Sequence, residues 1–385
     1  MKREERLAIL RISNSGGPQS SPFNSFTLMR SHLFSDELTT YFSYEGPFSA
    51  IKWKQDFDDL HRTEHADTAS VDFVFGDNKK TTCLSVSRRW TKETGHLVGR
   101  RLVHAHSPSR AIEAIIIFRI IAPKTPVFTT VHNHALNFSR RQKFKIAMAC
   151  LLGTRTIFVS YSAYQSFKKI IPRFLHSKTM VIQNGVDIDR ARKAGENLTN
   201  DVSRVGDCLR LVTIGRHVPQ KNREMLFTII GELGPNGDVS LFGSGGALEK
   251  LKSDARAFGV EDSIAIKGNV DRDVLLSELV GYDAFISTSH WEGLPVALME
   301  AMAMGLPCIV SDIPAHREVG NDCEGVFFAT SLDDWLEAVE HVRVAGEERR
   351  RYWGETNKKH IEDFFSMEKM QREYRNAYEE VLSGL

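Results

Sequence analysis

Glu292 and Glu300 stand with seven residues between them in the segment His290-Trp291-Glu292-Gly293-Leu294-Pro295-Val296-Ala297-Leu298-Met299-Glu300-Ala301-Met302-Ala303-Met304-Gly305. The apolar run ahead of them, Ala284-Phe285-Ile286-Ser287, reads as a buried strand. Pro295 suits the first turn of a helix, where its missing N–H has no partner anyway. Gly305 suits the helix end, where a left-handed residue is wanted. Pro307-Cys308-Ile309-Val310-Ser311 reads as the next buried strand. The pattern predicts a short helix held between two strands, with Glu292 just ahead of it and Glu300 in its second turn. The N–H groups at a helix start favour an anion such as a diphosphate. A carboxylate within the helix can reach past that anion and accept hydrogen bonds from vicinal hydroxyls, as on a ribose. One in the preceding loop can approach whatever is attached beyond the diphosphate. The same pair also fits a plainer role, an acid complementing the helix dipole beside a solvated helix face.

Other loops carry compatible chemistry. Ile214-Gly215-Arg216-His217-Val218-Pro219-Gln220-Lys221-Asn222 follows a strand-like run and precedes a helix-like one. Arg216 and Lys221 put two fixed positive charges where ligands of parallel sheets bind, and Arg can grip phosphate oxygens in a bidentate fork. Gly243-Ser244-Gly245-Gly246 and Ser13-Asn14-Ser15-Gly16-Gly17 also follow strands, and glycines there let backbone approach a ligand closely. His132 ends a strand in Thr130-Val131-His132-Asn133-His134, where an imidazole can meet a sugar hydroxyl or a developing charge. His104 and His106 follow the preceding strand. Four histidines so spaced also raise a metal cluster, but no acid or cysteine sits alongside, so no metal site is expected.

The glutamate segment resembles the signature of the retaining family 4 glycosyltransferases, which have the GT-B architecture. The resemblance is strong between Thr213 and Glu318 and thin between Leu38 and Gly95. It implies that Glu300 holds the donor ribose, that Glu292 faces the transferred sugar, and that Gly293 and Leu294 offer backbone N–H groups. It makes Arg216 and Lys221 a phosphate-binding loop and places Val270, in Gly268-Asn269-Val270, beside the nucleobase. Gly243 opens a loop that fits donor contact and a tight strand-to-helix turn alike, and the resemblance makes Gly16 and Gly17 a loop reaching the donor from the opposite lobe, though Pro18-Gln19-Ser20-Ser21 departs from the commoner form. The Thr-x-His pattern resembles the family's active-site histidine, which ranks His132 above His134. His104, His106 and His134 are then acceptor-side candidates. Asn184-Gly185-Val186-Asp187 resembles a structural turn at the end of the first domain. The implied chemistry needs no cofactor beyond a nucleotide-diphosphate sugar as co-substrate, most commonly a uridine diphosphate sugar.

The elements that must position these residues alternate. Strand-like and helix-like segments succeed one another from Leu7 to Ile182. After a polar stretch, Asp187 to Asp207, the alternation restarts at Leu209. Such a pattern argues for parallel sheets with helices on both faces. The expected architecture is α/β: two doubly wound Rossmann-like domains facing a cleft, residues 1–187 for the acceptor and 208–365 for the nucleotide sugar. The helical spacing of Met367, Met370, Tyr374, Tyr378 and Val381 predicts a terminal helix, 366–385, and the family resemblance implies that it returns to the N-terminal domain. At 385 residues the chain has length enough for two domains.

Composition narrows the class. With 42% hydrophobic and 26% charged residues the chain reads as soluble and globular. The longest apolar run, Ala111 to Ala122, is short and interrupted by Glu113 and Arg119, so no membrane span is expected. The first residues do not resemble a signal peptide. Five scattered cysteines read as reduced thiols of a cytoplasmic protein. The net charge of +1 conceals an asymmetry: residues 1–200 hold 30 Lys and Arg against 17 Asp and Glu, and residues 201–385 hold 20 against 32. Between Arg100 and Lys178 the sole acid is Glu113. Arg140, Arg141, Lys143 and Lys145 on one predicted helix, with Lys168 and Lys169, form a basic face that fits an anionic membrane surface at the inner leaflet. Nucleic acid is not expected, since no binding module is present. The implied function is transfer of a sugar to a glycan or lipid-linked acceptor in polysaccharide or glycoconjugate synthesis. A GT-B epimerase or phosphorylase, or a non-catalytic nucleotide-sugar-binding protein, shares the same residues.

Overall fold

A computed structural model describes residues 7–13, 37–43, 70–75, 83–97, 99–196, 208–243 and 248–384. The chain divides into two compact units, Met1–Asn184 with Glu368–Leu385, and Gly185–Met367.

The first unit holds strands β1 (Leu7–Ser13), β2 (Glu37–Ser43), β3 (Ser70–Phe75), β4 (Arg101–Ala105), β5 (Val127–Val131), β6 (Arg155–Phe158) and β7 (Thr179–Val181). They form one sheet in the order β3-β2-β1-β4-β5-β6-β7, and every pairing is parallel. Among the described residues its helices include α1 (Cys83–Glu93), α2 (Pro108–Ile121), α3 (Arg140–Leu152) and α4 (Tyr161–Phe167). All five residues of β5 are buried, which is why its sequence reads as unbroken apolar and Thr residues rather than as an alternation. Tyr41 stands in β2 and Phe73 in β3. Phe23 to Leu33, which reads in sequence as a helix, and Gly16 and Gly17 lie outside the described residues.

The second unit opens with α5 (Ile188–Glu196) and holds β8 (Leu209–Ile214), α6 (Arg223–Leu233), β9 (Gly237–Phe242), α7 (Leu248–Ala257), β10 (Ile264–Gly268), α8 (Arg272–Leu279) and β11 (Ala284–Ser287). It continues through α9 (Val296–Ala303), β12 (Cys308–Ser311), α10 (Pro314–Gly320), β13 (Val326–Ala329), α11 (Leu332–Val344) and α12 (Gly346–Phe364). Its sheet runs β10-β9-β8-β11-β12-β13, again wholly parallel. Leu211, Leu226, Ile230, Leu241, Ile286 and Trp335 are among the side chains packed into its core.

The stretch read from sequence as a polar connection is in part the helix α5, whose buried side chains are the small Ala191 and Ala194. Such residues carry too little hydrophobicity to mark a helix against Arg190, Arg192 and Lys193. The helix is capped by the Asp187 carboxylate, which accepts from the Arg190 N–H at 2.9 Å.

The last helix, α13 (Met367–Ser383), belongs to the first unit from Glu368 onward. Met367, Met370, Tyr374, Tyr378 and Val381 are all buried on one helical face. Full burial of a side chain of this size is worth about 1.5–3 kcal/mol, so the stripe is enough to dock the helix.

Candidate active site

In the second unit, the strand order reverses between β8 and β11, and the crevice outside the carboxyl ends of such a pair is where open α/β sheets bind ligands. Two loops meet there. The loop after β8 carries Arg216 to Asn222, and the loop after β11 carries Thr288 to Pro295. Lys221 Nζ donates to Glu292 Oε1 at 2.7 Å, and Gln220 Nε2 donates to Glu292 Oε2 at 3.0 Å. Gln220 Nε2 also donates to the Trp291 carbonyl at 2.7 Å, and the His290 N–H to the Gln220 carbonyl at 2.9 Å. Thr288 Oγ1 donates to the carbonyls of Lys221 and Asn222. Asn222 turns the first loop into α6 with a left-handed backbone (φ 45°), which Asn tolerates better than most residues.

Both Glu292 oxygens are therefore held, and the residue is buried. Burial alone would raise its carboxyl pKa. The Lys221 ammonium and the hydrogen bonds outweigh that, so the carboxyl sits below its ordinary range and is ionised at neutral pH. Arg216 is exposed and, among the described residues, engages no acid. Glu300, in the second turn of α9, is 3% exposed and ion-paired with Arg272 at the start of α8. Pro295 stands one residue ahead of α9 rather than in its first turn, and Gly305 follows the helix in a left-handed conformation. Leu294 is buried and Val270 half-buried. Gly243 sits with its N–H on the Gly268 carbonyl at 2.7 Å, so the loops after β9 and β10 are tied together. Ser244 to Gly246 lie outside the described residues.

The sequence reading passed over four residues of this region. Arg223 donates to Thr213 Oγ1 at 2.9 Å, and burial lowers its pKa to about 10 although Glu292 opposes the shift. Arg272 is the partner of Glu300. Gln220 orients Glu292. His316 is wholly buried, with Nδ1 2.8 Å from the Ser311 carbonyl, while Ser311 Oγ donates to the Ser289 carbonyl at 2.6 Å. A carbonyl only accepts, so Nδ1 bears the proton, and burial pushes the ring down to about 4. Each stands next to a motif residue in space, and only the neighbours in sequence, Gln220 and Arg223, left any signal there.

In the first unit, the order reverses between β1 and β4. His104 lies in β4, His106 just beyond it and His132 just beyond β5. The rings stack: His104 and His106 centroids are 4.1 Å apart, His106 and His132 centroids 5.5 Å. His106 Nδ1 and His132 Nε2 are 3.3 Å apart. His104 requires a correction. It is not an acceptor-side group but a core residue, with no exposed surface and both nitrogens engaged, Nδ1 by Tyr378 Oη at 2.6 Å and Nε2 by Thr130 Oγ1 at 2.7 Å. The buried Arg11 donates to Tyr378 Oη at 3.2 Å. The terminal helix thus covers His104 itself. His106 is also buried, and His132 and His134 are half-buried. His134 Nδ1 accepts from the Leu136 N–H at 3.2 Å, a local cap.

Burial, then Arg11 and neighbouring imidazoles, hold His104 and His106 well below the usual histidine range, and burial pushes His132 down to about 4. At neutral pH the stack is uncharged, so His132 can exchange hydrogen bonds with a hydroxyl but brings no positive charge. The linkage has a definite sign. Between the ordinary value, near 6.5, and about 4 the unfolded chain binds protons that the folded chain refuses, so stability falls as pH falls through that window. Urea midpoints measured from pH 7 to pH 4.5 should decline, and less steeply in His132→Asn; identical slopes would contradict the assignment.

The basic residues divide. Arg140, Arg141, Lys168 and Lys169 are exposed, and Lys143 and Lys145 are half-buried. Lys145 Nζ donates to Ser109 Oγ at 3.1 Å, tying α3 to the start of α2. Among the described residues, no group of three or more His, Cys, Asp or Glu could hold a metal ion, and no helix is long and apolar enough to cross a membrane.

The sequence profile described as Glycosyl transferases group 1 matches residues 199–360, and that of Glycosyltransferase Family 4 matches residues 73–190. The chain is 28% identical over 263 residues to the UDP-Gal:alpha-D-GlcNAc-diphosphoundecaprenol alpha-1,3-galactosyltransferase of Escherichia coli, covering 63% of this chain and 66% of that protein. It is 26% identical over 244 residues to the GDP-mannose:cellobiosyl-diphosphopolyprenol alpha-mannosyltransferase of Komagataeibacter xylinus, covering 60% and 59%. The chain thus spans 66% of the length of the first relative and 59% of the second. Among solved structures it resembles Anabaena Alr3699/HepE in complex with UDP-glucose, with a TM-score of 0.76 and 16% identity over 99% of this chain and 100% of that one. That likeness shows a shared GT-B fold.

Proposed function

The chain belongs to the family 4 glycosyltransferases of GT-B architecture, and from that membership we propose that it moves a sugar from a uridine diphosphate sugar to a lipid-linked or glycan acceptor, retaining the anomeric configuration, in the synthesis of a polysaccharide or glycoconjugate. The observation that carries the proposal is the Lys221–Glu292 pair, set at the reversal point of the second sheet with Glu300 buried on the helix that follows. In this reading Arg216 and Lys221 take up the charge that builds on the leaving diphosphate, a stabilisation that grows toward the transition state. Glu300 accepts hydrogen bonds from the ribose hydroxyls. Glu292, ionised and fixed at both oxygens, stabilises positive charge at the anomeric carbon. A carboxylate whose two oxygens are already engaged is a poor nucleophile, which favours attack by the acceptor from the leaving-group side.

His132 is assigned to the acceptor side of the first unit, as a neutral hydrogen-bonding group. Uridine is favoured because one relative is named for a UDP-sugar and the solved neighbour is in complex with one. A lipid-linked acceptor is favoured because both curated relatives are named for polyprenyl diphosphate-linked substrates. No metal is assigned, since two side-chain cations serve the diphosphate.

Thermal melts with a panel of nucleotide sugars test the donor. A ligand at a hundredfold excess over its Kd adds about 2.7 kcal/mol of stability, a shift on the order of several degrees. If none of the panel raises the melting point, the donor reading fails. Glu300→Gln should weaken uridine diphosphate about tenfold to a hundredfold in calorimetry, because charge-assisted hydrogen bonds to hydroxyls are lost. Wild-type affinity in that variant would remove the ribose role. Donor consumption with water or phosphate alone would favour an epimerase or phosphorylase instead.

A further inference from the structure

The imidazoles of His106 and His132 share one proton-bearing contact, and its direction decides what His132 can offer a ligand. His106 follows β4, and its backbone N–H is held by the Ile12 carbonyl of β1 at 2.9 Å. His132 follows β5. Both rings therefore stand at the carboxyl edge of the sheet, next to the reversal of strand order between β1 and β4. His106 Nδ1 and His132 Nε2 are 3.3 Å apart.

Each neutral ring has one N–H and one bare nitrogen, so two arrangements are open. If His132 Nε2–H donates, His106 must carry its own proton on Nε2. That nitrogen is buried with no partner, in a residue only 6% exposed. If His106 Nδ1–H donates, the same position holds only a lone pair. A buried N–H with nothing to receive it is rarer than an under-used acceptor, so burial favours the second arrangement. His132 then has its proton on Nδ1. Among the described residues no hydrogen bond engages that nitrogen, and the ring is half-buried rather than sealed.

The ring stacked on His106 shows how a partner sets a tautomer. Arg11 can only donate, and its Nη1 gives to Tyr378 Oη at 3.2 Å and faces His104 Nδ1 at 3.5 Å. A nitrogen that faces a guanidinium is bare, so His104 keeps its proton on Nε2, where it meets Thr130 Oγ1. Adjoining rings thus hold opposite tautomers, each dictated by what lies against Nδ1.

We propose that His106 is a positioning residue whose Nδ1–H locks His132 as the Nδ1–H tautomer, so that His132 presents a hydrogen-bond donor, and not a base, to an oxygen of the sugar acceptor. That the oxygen belongs to a sugar acceptor rests on the proposed glycosyl transfer, whereas the tautomer stands on the two rings alone.

The test is long-range proton–nitrogen correlation spectroscopy of the whole protein, carrying isotope-labelled histidine, at neutral pH. Cross-peak patterns report the tautomer of each ring, and signals missing in His132→Asn identify that ring. Two other rings calibrate the pattern. His316 Nδ1 faces a carbonyl and must bear the proton, while His134 Nδ1 accepts from the Leu136 N–H and must be bare. His106 and His132 should both match His316. His106→Leu removes the donor and should pass His132 to the pattern of His134. His106→Asn, whose amide N–H can stand where Nδ1–H stood, should hold His132 as in wild type. Sugar transfer should follow the tautomer, falling about tenfold in His106→Leu and recovering in His106→Asn. Melting curves with and without uridine diphosphate show which proteins are folded and take nucleotide. The wild-type spectrum decides even where the leucine variant does not fold: His132 with the pattern of His134 overturns the lock. So does a folded His106→Leu in which His132 keeps its wild-type pattern. A switched tautomer with unchanged transfer leaves the lock standing and overturns the role of His132 toward the sugar acceptor. A wild type with the expected tautomers but no response to nucleotide supports the lock and counts against the donor reading.

Discussion

Glu292→Gln is expected to lower turnover by about two to three orders of magnitude while leaving uridine diphosphate binding close to normal, the loss seen when one preorganised electrostatic group is removed from a site. The substitution keeps the shape and one acceptor oxygen, enough for Lys221 or Gln220 but not for both. It removes the negative charge that would face a developing positive charge at the sugar. Donor KM should change little and kcat should carry the effect, because the interaction strengthens only in the transition state. Turnover at the wild-type rate would sink the catalytic assignment. Loss of binding together with turnover would mean that Glu292 shapes the phosphate loop through Lys221 and does no more. The carboxyl's depressed pKa adds a pH condition. Its pairing stabilises the fold above the ordinary carboxylate value and is lost as pH falls through a lower one, so an acid limb of activity near pH 6 must come from another group.

Gly243→Ala should destabilise the second unit by about 3–5 kcal/mol, enough to lower its melting point on the order of ten degrees. Two costs add. The residue's φ of +141° is one that side chains rarely adopt, and an added Cβ would lie 2.1 Å from the Gly215 carbonyl oxygen, a backbone atom that cannot swing away. Gly215 leads into Arg216, so whatever relief the chain finds must move the phosphate loop, and nucleotide affinity should fall with stability. Gly259→Ala is the control. Its φ is +67°, but nothing lies within 4 Å of the new Cβ, so strain acts there without crowding. Equal effects at the two positions would refute the crowding argument. This geometry also explains Gly243 as a packing residue between two loops, whatever its distance from a ligand.

The extent to which the site was legible follows from range. Glu292, Gly293, Leu294, Pro295 and Glu300 are local: one loop and one helix, whose start and stop residues can be read in order. The same holds for Gly215 through Asn222. The parallel sheets follow from apolar runs of four to six residues alternating with helix-like stretches, as in the six strands from Leu209 onward. The helix α5 was not legible, because its buried face consists of alanines among cations. His104 was misread for a different reason. Its neighbours in sequence are those of a strand end, and the groups that enclose it, Arg11 and Tyr378, are far away along the chain.

The amino-acid order by itself determined the two doubly wound units, the family, and the identity of the paired loops at the second sheet, because periodicity, turn residues and short motifs act over a few residues each. Tertiary structure alone decided which groups meet. It placed Lys221 and Gln220 on Glu292, Arg272 on Glu300 and His316 behind Ser311, sealed His104 under the last helix, and left Ile120 and Phe144 facing outward. Those outcomes depend on how strands are ordered and on which helix covers which face. Hydrogen bonds and burial fix most of these contacts between residues tens to hundreds of positions apart, as with Gln220 and Glu292 or His104 and Tyr378, where no local spacing carries the information.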